Sequence, residues 1–203
     1  MSEKTNQTTS SKNVYTEIQE WDDPALDLRP NILRGIYAFG FEKPSPIQKK
    51  GLIPLIQPGC EGKRRDIIAQ AQSGTGKTAC FGVGSLQIID PEKNHTQVLI
   101  LAPTHELASQ IKGVITAIGR YDKIKAQLLV GGTSVDGDRA KLDEDPPHIV
   151  VGTPGRVHDM IRRKYLKTDK MSSFWTFCLH YYRTDPTQEE ALSWLNKINV
   201  VET

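Results

Sequence analysis

AQSGTGKT, residues 71–78, is a glycine-rich turn between a branched-aliphatic run, DIIAQA (66–71), and a predicted helix that begins near Lys77. In a strand, loop and helix arranged in this order, the N–H groups of the loop and the helix dipole attract an anion. A turn that only joins a strand to a helix would explain Gly74 and Gly76. It would not explain the Lys-Thr pair that follows them, so the segment predicts a phosphate-binding loop.

The residue types of this loop suit the triphosphate of a purine nucleotide together with magnesium. Lys77 is placed to reach the β- and γ-phosphates, and the hydroxyl of Thr78 is placed to bind Mg²⁺. These two are the predicted catalytic residues, and Thr78 is also the predicted metal ligand. Ala71 stands where the general pattern has glycine. The predicted nucleotide-binding residues of the loop are Ala71, Gln72, Ser73, Gly74, Thr75, Gly76, Lys77 and Thr78.

Around the loop, short apolar runs alternate with helical patterns from about residue 30 to residue 165. This alternation predicts an α/β fold, a mostly parallel sheet with helices on both faces. Helix starts are predicted at Ser45, Thr104 and Thr153. Ligand sites in such sheets lie at the carboxyl ends of the strands. The predicted strands are DIIAQA (66–71), QVLILA (97–102), KAQLLVG (125–131) and HIVVG (148–152).

The composition indicates one soluble globular domain. The 203 residues carry a net charge of +2, which permits nucleic-acid binding without demanding it. No stretch approaches the roughly 18 consecutive apolar residues of a membrane span, so no membrane partner is expected. Three cysteines without a CxxC pair favour reduced thiols and a cytoplasmic or nuclear location. Residues 1–12 are predicted to be a disordered polar tail without the apolar core of a signal peptide.

A second segment, GFEKPSPIQ (40–48), is informative about function only when it is considered together with the loop at 71–78. Gln48 could form a two-point hydrogen bond with the adenine edge, and Phe41 could stack on the ring, although each feature alone is more often helix packing. The set resembles the DEAD-box ATP-dependent RNA helicases, whose Q motif selects adenine and whose phosphate loop has the same AQSGTGKT form. GIYAFGFEKPSPIQ (35–48) looks most like the translation-initiation members of that family, and Trp21 matches their isolated upstream aromatic residue. The resemblance implies ATP and Mg²⁺ as cofactors.

Three further segments match the family in order: PTHELA (103–108), the Gly131-Gly132 pair and TPGRV (153–157). In the family they line the RNA backbone groove of the first RecA-like domain, which binds without reading base sequence. Alone, TPGR is more often an ordinary helix start and a Gly-Gly pair is usually a turn. The resemblance therefore implies RNA as a partner. The RNA-binding residues it implies are Pro103, Thr104, Glu106, Gly131, Gly132, Thr153, Pro154, Gly155 and Arg156.

The chain departs from the family at two places. His105 stands where arginine is expected, and a neutral imidazole supplies less charge than a guanidinium. After LKTDKM (166–171) the family continues into an apolar strand that ends in Asp-Glu-Ala-Asp, whereas this sequence reads SSFWTFCLHYY (172–182). That segment and a predicted helix, TQEEALSWLNKINVVE (187–202), could close the sheet as a strand and a helix or form a poorly packed appendage. Asp185 and the nearby glutamates lie in no matching context.

These observations predict a RecA-like domain of the P-loop NTPase class over residues 13–170, followed by a divergent segment over 171–203. Our leading interpretation is a truncated DEAD-box helicase that binds ATP and RNA and turns ATP over weakly or not at all, because the magnesium-binding and water-orienting carboxylates are missing. An alternative is a non-catalytic regulatory half-helicase that binds RNA or a helicase partner, including a scaffold protein of the translation-initiation type. A third is a chain that fails to fold because a central strand is lost.

Overall fold

The computed structural model describes residues 17–58, 67, 69 and 71–176. Six α-helices and four β-strands lie within these residues, and one 3₁₀ turn, Arg120–Asp122, follows the fourth helix. No described helix has both the length and the apolar character needed to cross a membrane. In chain order the elements are α1 (Pro30–Ala38), α2 (Pro46–Ile56), α3 (Lys77–Ile88), β1 (Val98–Leu101), α4 (His105–Gly119), β2 (Ala126–Leu129), α5 (Val135–Glu144), β3 (Ile149–Gly152), α6 (Pro154–Arg162) and β4 (Ser173–Thr176).

The four strands form one parallel sheet in the order β2, β3, β1, β4. All four residues of β1 and all four of β3 are buried, whereas burial alternates along β2 at the edge of the described sheet. The strands predicted at 97–102, 125–131 and 148–152 are confirmed. For the strand predicted at 66–71, three positions lie outside the described residues, and the other three, Ile67, Ala69 and Ala71, are not in a strand.

The fourth strand comes from the segment that departs from the family pattern. Val98 pairs with Ser173 and Leu101 with Thr176 in parallel register, and the Ser172 N–H donates to the Gln97 carbonyl at 2.8 Å. Because β3 pairs with β1 on its other side, β1 has a neighbour on both edges. This segment therefore supplies a sheet strand over residues 173–176, and the helix predicted at 187–202 lies outside the described residues.

Two apolar clusters cover the two faces of the sheet, which confirms the predicted α/β architecture. The side chains of β1 alternate between them: Val98 and Ile100 join the cluster formed with α1 to α4, whereas Leu99 and Leu101 join the cluster on the face of α6. This alternation follows from the two-residue period of a strand. Cys80, in the first cluster, is a free thiol whose pKa burial raises to about 12, as expected for a reduced core cysteine.

His148, just before β3, is predicted to make stability fall in mild acid. Its Nδ1 accepts a hydrogen bond from the Lys125 N–H at 2.9 Å, and it is only 3% exposed. Burial, then the Lys125 charge and to a smaller extent His95 lower its pKa, and together they outweigh a hydrogen bond with the Pro91 backbone and the Asp145 charge, which raise it. Below the ordinary histidine pKa of about 6.5, the unfolded chain binds the proton more readily than the native one, so stability decreases as pH falls.

Urea unfolding at pH 7.5 and pH 5.5 measures this effect. A single group of this kind contributes at most about 1.4 kcal/mol per pH unit. His148→Asn keeps an acceptor for the Lys125 N–H and cannot titrate, so it is expected to reduce the pH dependence. The same change at the exposed His105 is the matched control. Equal pH dependence in all three proteins would contradict the prediction.

Candidate functional site

The predicted phosphate-binding loop, residues 71–78, contains two glycines in left-handed conformations. Gly74 has φ of 79°, and Gly76, the N-cap residue just before α3, has φ of 89°. Its positive φ favours glycine, and a Cβ there would lie 2.5 Å from Nε2 of Gln48 and would displace that amide. The first backbone N–H groups of α3 have no acceptor within the helix and are directed to the loop side. The predicted roles of both glycines in the turn agree with this geometry.

The ammonium group of Lys77 lies across the mouth of this loop. Its Nζ donates to the carbonyls of Ala71 at 2.5 Å and Gln72 at 2.6 Å. The hydroxyl of Thr75 also donates to the Gln72 carbonyl at 2.8 Å, which closes the turn. A positive charge and the start of a helix therefore meet within one short loop. A bound phosphate would have to take the ammonium away from these two carbonyl oxygens.

Helix α2 is fastened to the same loop through Gln48. Its Oε1 accepts from the Ser45 N–H at 2.6 Å, and its Nε2 donates to the Gly76 carbonyl at 3.1 Å. The Ser45 hydroxyl donates to the Thr75 carbonyl at 2.8 Å. Gln48 is only 3% exposed. These bonds use one hydrogen and one oxygen lone pair of its amide group, so one of each is left to form a further hydrogen bond. The contact of Gln48 with adenine stays a prediction, while its contact with the loop is a feature that sequence reasoning missed.

An aromatic cluster lies beside α2. The ring of Phe41 is 4.8 Å from that of Phe39 and 6.3 Å from that of Trp21, centroid to centroid. Trp21 is fully buried, Phe41 is partly buried, and Phe39 is 40% exposed. Stacking of a base on Phe41 stays a prediction. Phe39 is the more exposed ring, and the motif that singled out Phe41 gives no signal for it.

A second group of predicted residues meets at the carboxyl edge of the sheet. The Ala102 N–H donates to the Gly152 carbonyl at 2.9 Å, and the Thr153 N–H donates to the Leu129 carbonyl at 3.0 Å, so the ends of β1, β3 and β2 lie side by side. The predicted helix starts at Thr104 and Thr153 are confirmed here. The predicted RNA-binding residues brought to this edge are Pro103, Thr104, Glu106, Gly131, Gly132, Thr153, Pro154, Gly155 and Arg156.

Local capping fixes two of the helix starts at this edge. The Thr104 hydroxyl accepts from the Leu107 N–H at 3.2 Å at the start of α4, and the Ser134 hydroxyl accepts from the Gly137 N–H at 3.3 Å at the start of α5.

A Cβ on Gly152 would collide with the Leu129 carbonyl oxygen, so only glycine allows β3 to run this close to β2. Sequence reasoning missed Gly152 because the close approach is between strands distant in sequence.

Arg156 is directed into the protein. Its guanidinium forms an ion pair with Asp138 and donates to the Thr133 hydroxyl at 2.8 Å and to the Thr133 carbonyl at 2.7 Å. The side chains of Arg156 and Asp138 are 9% and 7% exposed. Its predicted direct contact with RNA stays a prediction, but most of its hydrogen-bonding capacity is already used. Asp138 and Thr133 are contacts that no sequence motif indicated.

Metal ligands are sparse in the described part of the chain. No group of three or more His, Cys, Asp or Glu side chains lies close enough there to hold a metal ion. Thr78, the predicted ligand, is the second residue of α3 and half-buried. A magnesium ion at this loop would therefore depend on phosphate oxygens and water for most of its coordination, as Mg²⁺ commonly does.

A profile of the DEAD/DEAH box helicase family matches residues 45–174, which is more than half of the chain. Among curated proteins, the sequence is similar to "ATP-dependent RNA helicase eIF4A" of Neurospora crassa, with 55% identity over 162 residues, and to the protein of the same name from Botryotinia fuckeliana, with 53% identity over 149 residues. These matches cover 80% and 73% of this chain but only 38% and 36% of the relatives. The chain thus spans little more than a third of their length.

Solved structures give the same picture of the fold. Dbp5 of S. cerevisiae bound to RNA and ADP BeF3 superposes with a TM-score of 0.66 at 28% identity, covering 86% of this chain and 49% of that one. A DEAD box protein from the hyperthermophile Methanococcus jannaschii superposes with a TM-score of 0.72 at 30% identity, covering 90% and 45%. The described sheet is therefore similar to the RecA-like domain of these proteins.

Proposed function

The chain belongs to the DEAD/DEAH box helicase family, and from this premise we propose that it binds ATP with Mg²⁺ at residues 71–78 and the RNA backbone along the carboxyl edge of its sheet. The observation that carries the proposal is the position of Lys77. Its ammonium lies 2.5 and 2.6 Å from two carbonyls of a glycine-rich loop, at the start of a helix. A triphosphate offers stronger acceptors than these carbonyls to the same group.

Binding of the triphosphate would use three kinds of group. The first N–H groups of α3 and the loop amides would donate to phosphate oxygens, Lys77 would neutralise the β- and γ-phosphates, and Thr78 would offer one ligand to magnesium. Magnesium, when bound with the nucleotide, supplies charge neutralisation at the phosphates. Adenine would lie against Phe41 and the remaining hydrogen-bonding capacity of Gln48.

RNA would be held by its phosphates and not by its bases. Three helices, α4, α5 and α6, begin at one edge of the sheet, and the first turn of each presents backbone N–H groups there. The residues beside these N–H groups are exposed or partly exposed, and several of them are small or carry hydroxyl groups. Such groups bind phosphates without sequence information. Single-stranded RNA of any sequence is therefore the substrate class that this edge fits.

Hydrolysis by this chain is proposed to be slow. The strand β4 is followed by FCLHYY and not by Asp-Glu-Ala-Asp, so the carboxylates that would hold magnesium and orient water are absent from that position. Loss of a water-positioning group costs on the order of 10²- to 10⁴-fold in rate. The chain would then act as a nucleotide-dependent RNA clamp more than as an ATPase.

A second candidate function is a non-catalytic regulator of translation initiation that occupies RNA or a scaffold protein. The observation that favours it is β4, which completes the pairing of β1 without bringing the catalytic carboxylates. A cytoplasmic or nuclear location would suit both candidates. Co-purification with a scaffold partner that Lys77→Ala leaves unchanged would favour the regulator, whereas nucleotide-dependent retention on RNA would favour the first candidate.

The experiment that tests nucleotide binding is thermal unfolding of the whole chain with and without millimolar ATP and Mg²⁺, with GTP as the comparison. A ligand that binds only the native state raises the midpoint by mass action. A rise with ATP that exceeds the rise with GTP would support the proposed site and its adenine preference. An unchanged midpoint with both nucleotides would refute it.

His105→Arg is predicted to strengthen RNA binding several-fold. His105 is the first residue of α4 and exposed, so a guanidinium there would add a permanent positive charge beside the proposed phosphate path. One added phosphate contact steepens the dependence of log K on log salt concentration by about 0.7 for single strands. Fluorescence anisotropy with a labelled oligouridine at several salt concentrations measures both effects.

The matched control for this charge is His95→Arg. His95 precedes β1 and therefore lies toward the opposite edge of the sheet, so the same charge change there is expected to leave the salt dependence unaltered. If both variants strengthened binding equally, the gain would come from net charge alone. RNA would then not be located at the start of α4.

A further inference from the structure

We propose that Arg156 is a positioning residue for RNA binding, which acts through Thr133 and Asp138 to hold the Gly131-Gly132 loop and does not itself bind phosphate. The inference rests on the proposed RNA-binding edge and assigns a role within it. It is drawn from the direction of the guanidinium, from its burial and from the exposure of the loop that it holds.

The contacts of Arg156 converge on one short segment. One terminal nitrogen donates to the Thr133 hydroxyl at 2.8 Å and pairs with Asp138, and the other donates to the Thr133 carbonyl at 2.7 Å. Thr133 in turn donates to the Val130 carbonyl at 3.0 Å and lies 2.9 Å from the Asp138 carboxylate. The start of α6 is thereby bonded to the loop after β2 and to α5.

Asp138 is itself fixed from the sheet. Its backbone carbonyl accepts from Nε2 of Gln127, in β2, at 3.1 Å, and its side chain is 7% exposed. A buried carboxylate this close cancels most of the field that Arg156 would exert on an external phosphate. Leaving either charge without its partner would be strongly unfavourable, so the pair is expected to persist when RNA binds.

The loop held by these contacts would otherwise have much conformational freedom. Gly131, Gly132, Thr133 and Ser134 are all exposed, and Gly132 adopts φ of 86°. A Cβ on Gly131 or Gly132 would meet no atom within 4 Å, so the glycines do not hold the loop by packing. Fixing such residues costs conformational entropy. Because the contacts of Arg156 with Thr133 and Asp138 already order the loop, RNA binding would not have to supply that free energy.

The two roles of Arg156 predict opposite effects for Asp138→Asn. If Arg156 binds phosphate and Asp138 only competes for it, then removing the carboxylate charge frees the guanidinium and strengthens RNA binding. If Arg156 positions the loop, the same substitution loosens the loop and weakens binding about tenfold, the scale of one lost charged hydrogen bond. The salt dependence separates the roles as well, because only a lost phosphate contact reduces it, by about 0.7.

The test is RNA anisotropy and amide hydrogen exchange on the whole chain, for the wild type, Arg156→Gln, Asp138→Asn and the double variant. We expect each single variant to bind labelled oligouridine about tenfold more weakly with an unchanged salt dependence, and the double variant to be no weaker than either. Faster exchange of amides 131–134 without RNA is expected in all three. Stronger binding by Asp138→Asn, or a shallower salt dependence for Arg156→Gln, would overturn the proposal.

Two further variants keep the test decisive. Thr133→Val retains both charges but removes the hydroxyl contact, so it tests the contacts among Arg156, Thr133 and Asp138 even if the charge variants fail to fold. RNA binding and amide exchange equal to those of the wild type would contradict the inference. Arg156→Lys retains the charge but cannot form the two-pronged contact, so full recovery of binding would also contradict it. If the wild type binds no RNA, the proposed function fails, whereas loop exchange still tests the clamp.

Discussion

Lys77→Ala is expected to remove most of the stabilisation of this chain by ATP and Mg²⁺. The ammonium lies at the mouth of the loop, where it now bonds to the carbonyls of Ala71 and Gln72, and it is the only cation that the loop sequence itself provides. Loss of a charged hydrogen-bonding group costs about 1.5–3 kcal/mol of binding, or roughly 10- to 150-fold in affinity.

The expected size of the effect follows from mass action. At an ATP concentration of about 100 times the wild-type Kd, the native state gains about 2.7 kcal/mol, and a 100-fold weaker variant gains only about 0.4 kcal/mol. For a chain of this size the rise in Tm would fall from about 5–11 °C to about 1 °C. Thermal unfolding with and without ATP and Mg²⁺ measures both values.

The matched control for Lys77→Ala is Lys112→Ala. Lys112 is also a helical lysine, in α4, and the substitution removes the same charge away from the loop. The control is expected to keep the full ATP-dependent rise in Tm. If Lys77→Ala kept it too, the loop would not be the nucleotide site, whatever the family membership implies.

Gly35→Ala is expected to cause the largest loss of stability among single-methyl changes. Gly35 is buried in α1 where this helix crosses α4, and a Cβ there would collide with the carbonyl oxygen of Ile118. The obstacle is backbone, so the two helices must move apart and disturb the first apolar cluster. Overpacking of this kind costs about 3 kcal/mol or more, which corresponds to a Tm lower by about 6–12 °C.

The control for this substitution is Gly113→Ala. Gly113 is exposed in the interior of α4, and a Cβ there would meet no atom within 4 Å. The added methyl group is expected to stabilise the chain by about 0.5–1 kcal/mol, because glycine is a poor helix residue. Urea unfolding measures both changes. Similar small effects at both positions would mean that α1 does not pack against α4 as closely as described.

The turn and helix start of the proposed phosphate-binding loop could be predicted because the interactions that form them are local. Glycine turn, lysine and helix start are adjacent in sequence, and the conformations of Gly74 and Gly76 depend on their own missing side chains, whereas the strand predicted at 66–71 is not seen at its three described positions. The helix start at Thr104 was predictable for the same reason, since its hydroxyl bonds only three residues ahead, and the start at Thr153 was predictable because Pro154 is suited to the first helical position. The strands at 97–102 and 148–152 were predictable from continuous branched-aliphatic runs.

The contacts of Gln48 and Arg156 could not be predicted, because their partners are distant in sequence. Gln48 reaches the carbonyl of Gly76, and Arg156 reaches Thr133 and Asp138, and no periodicity or spacing encodes those pairs. Both residues were selected by motifs as external ligands, and both are buried against neighbouring elements. A sequence motif identifies the type of side chain at a position, but it does not indicate whether that side chain contacts an external ligand or a neighbouring element of the fold.

The sequence by itself determined the class of fold, the glycine turn before α3 and the set of residues that lie at the carboxyl ends of the strands. Only the tertiary structure decided that Ser173–Thr176 pairs beside β1, that Gln48 fastens α2 to the loop and that Arg156 is turned inward. The physical reason is the range of the interactions. Turn conformations and helix caps are decided within a few residues, whereas strand pairing and buried ion pairs depend on which distant groups can satisfy each other away from water.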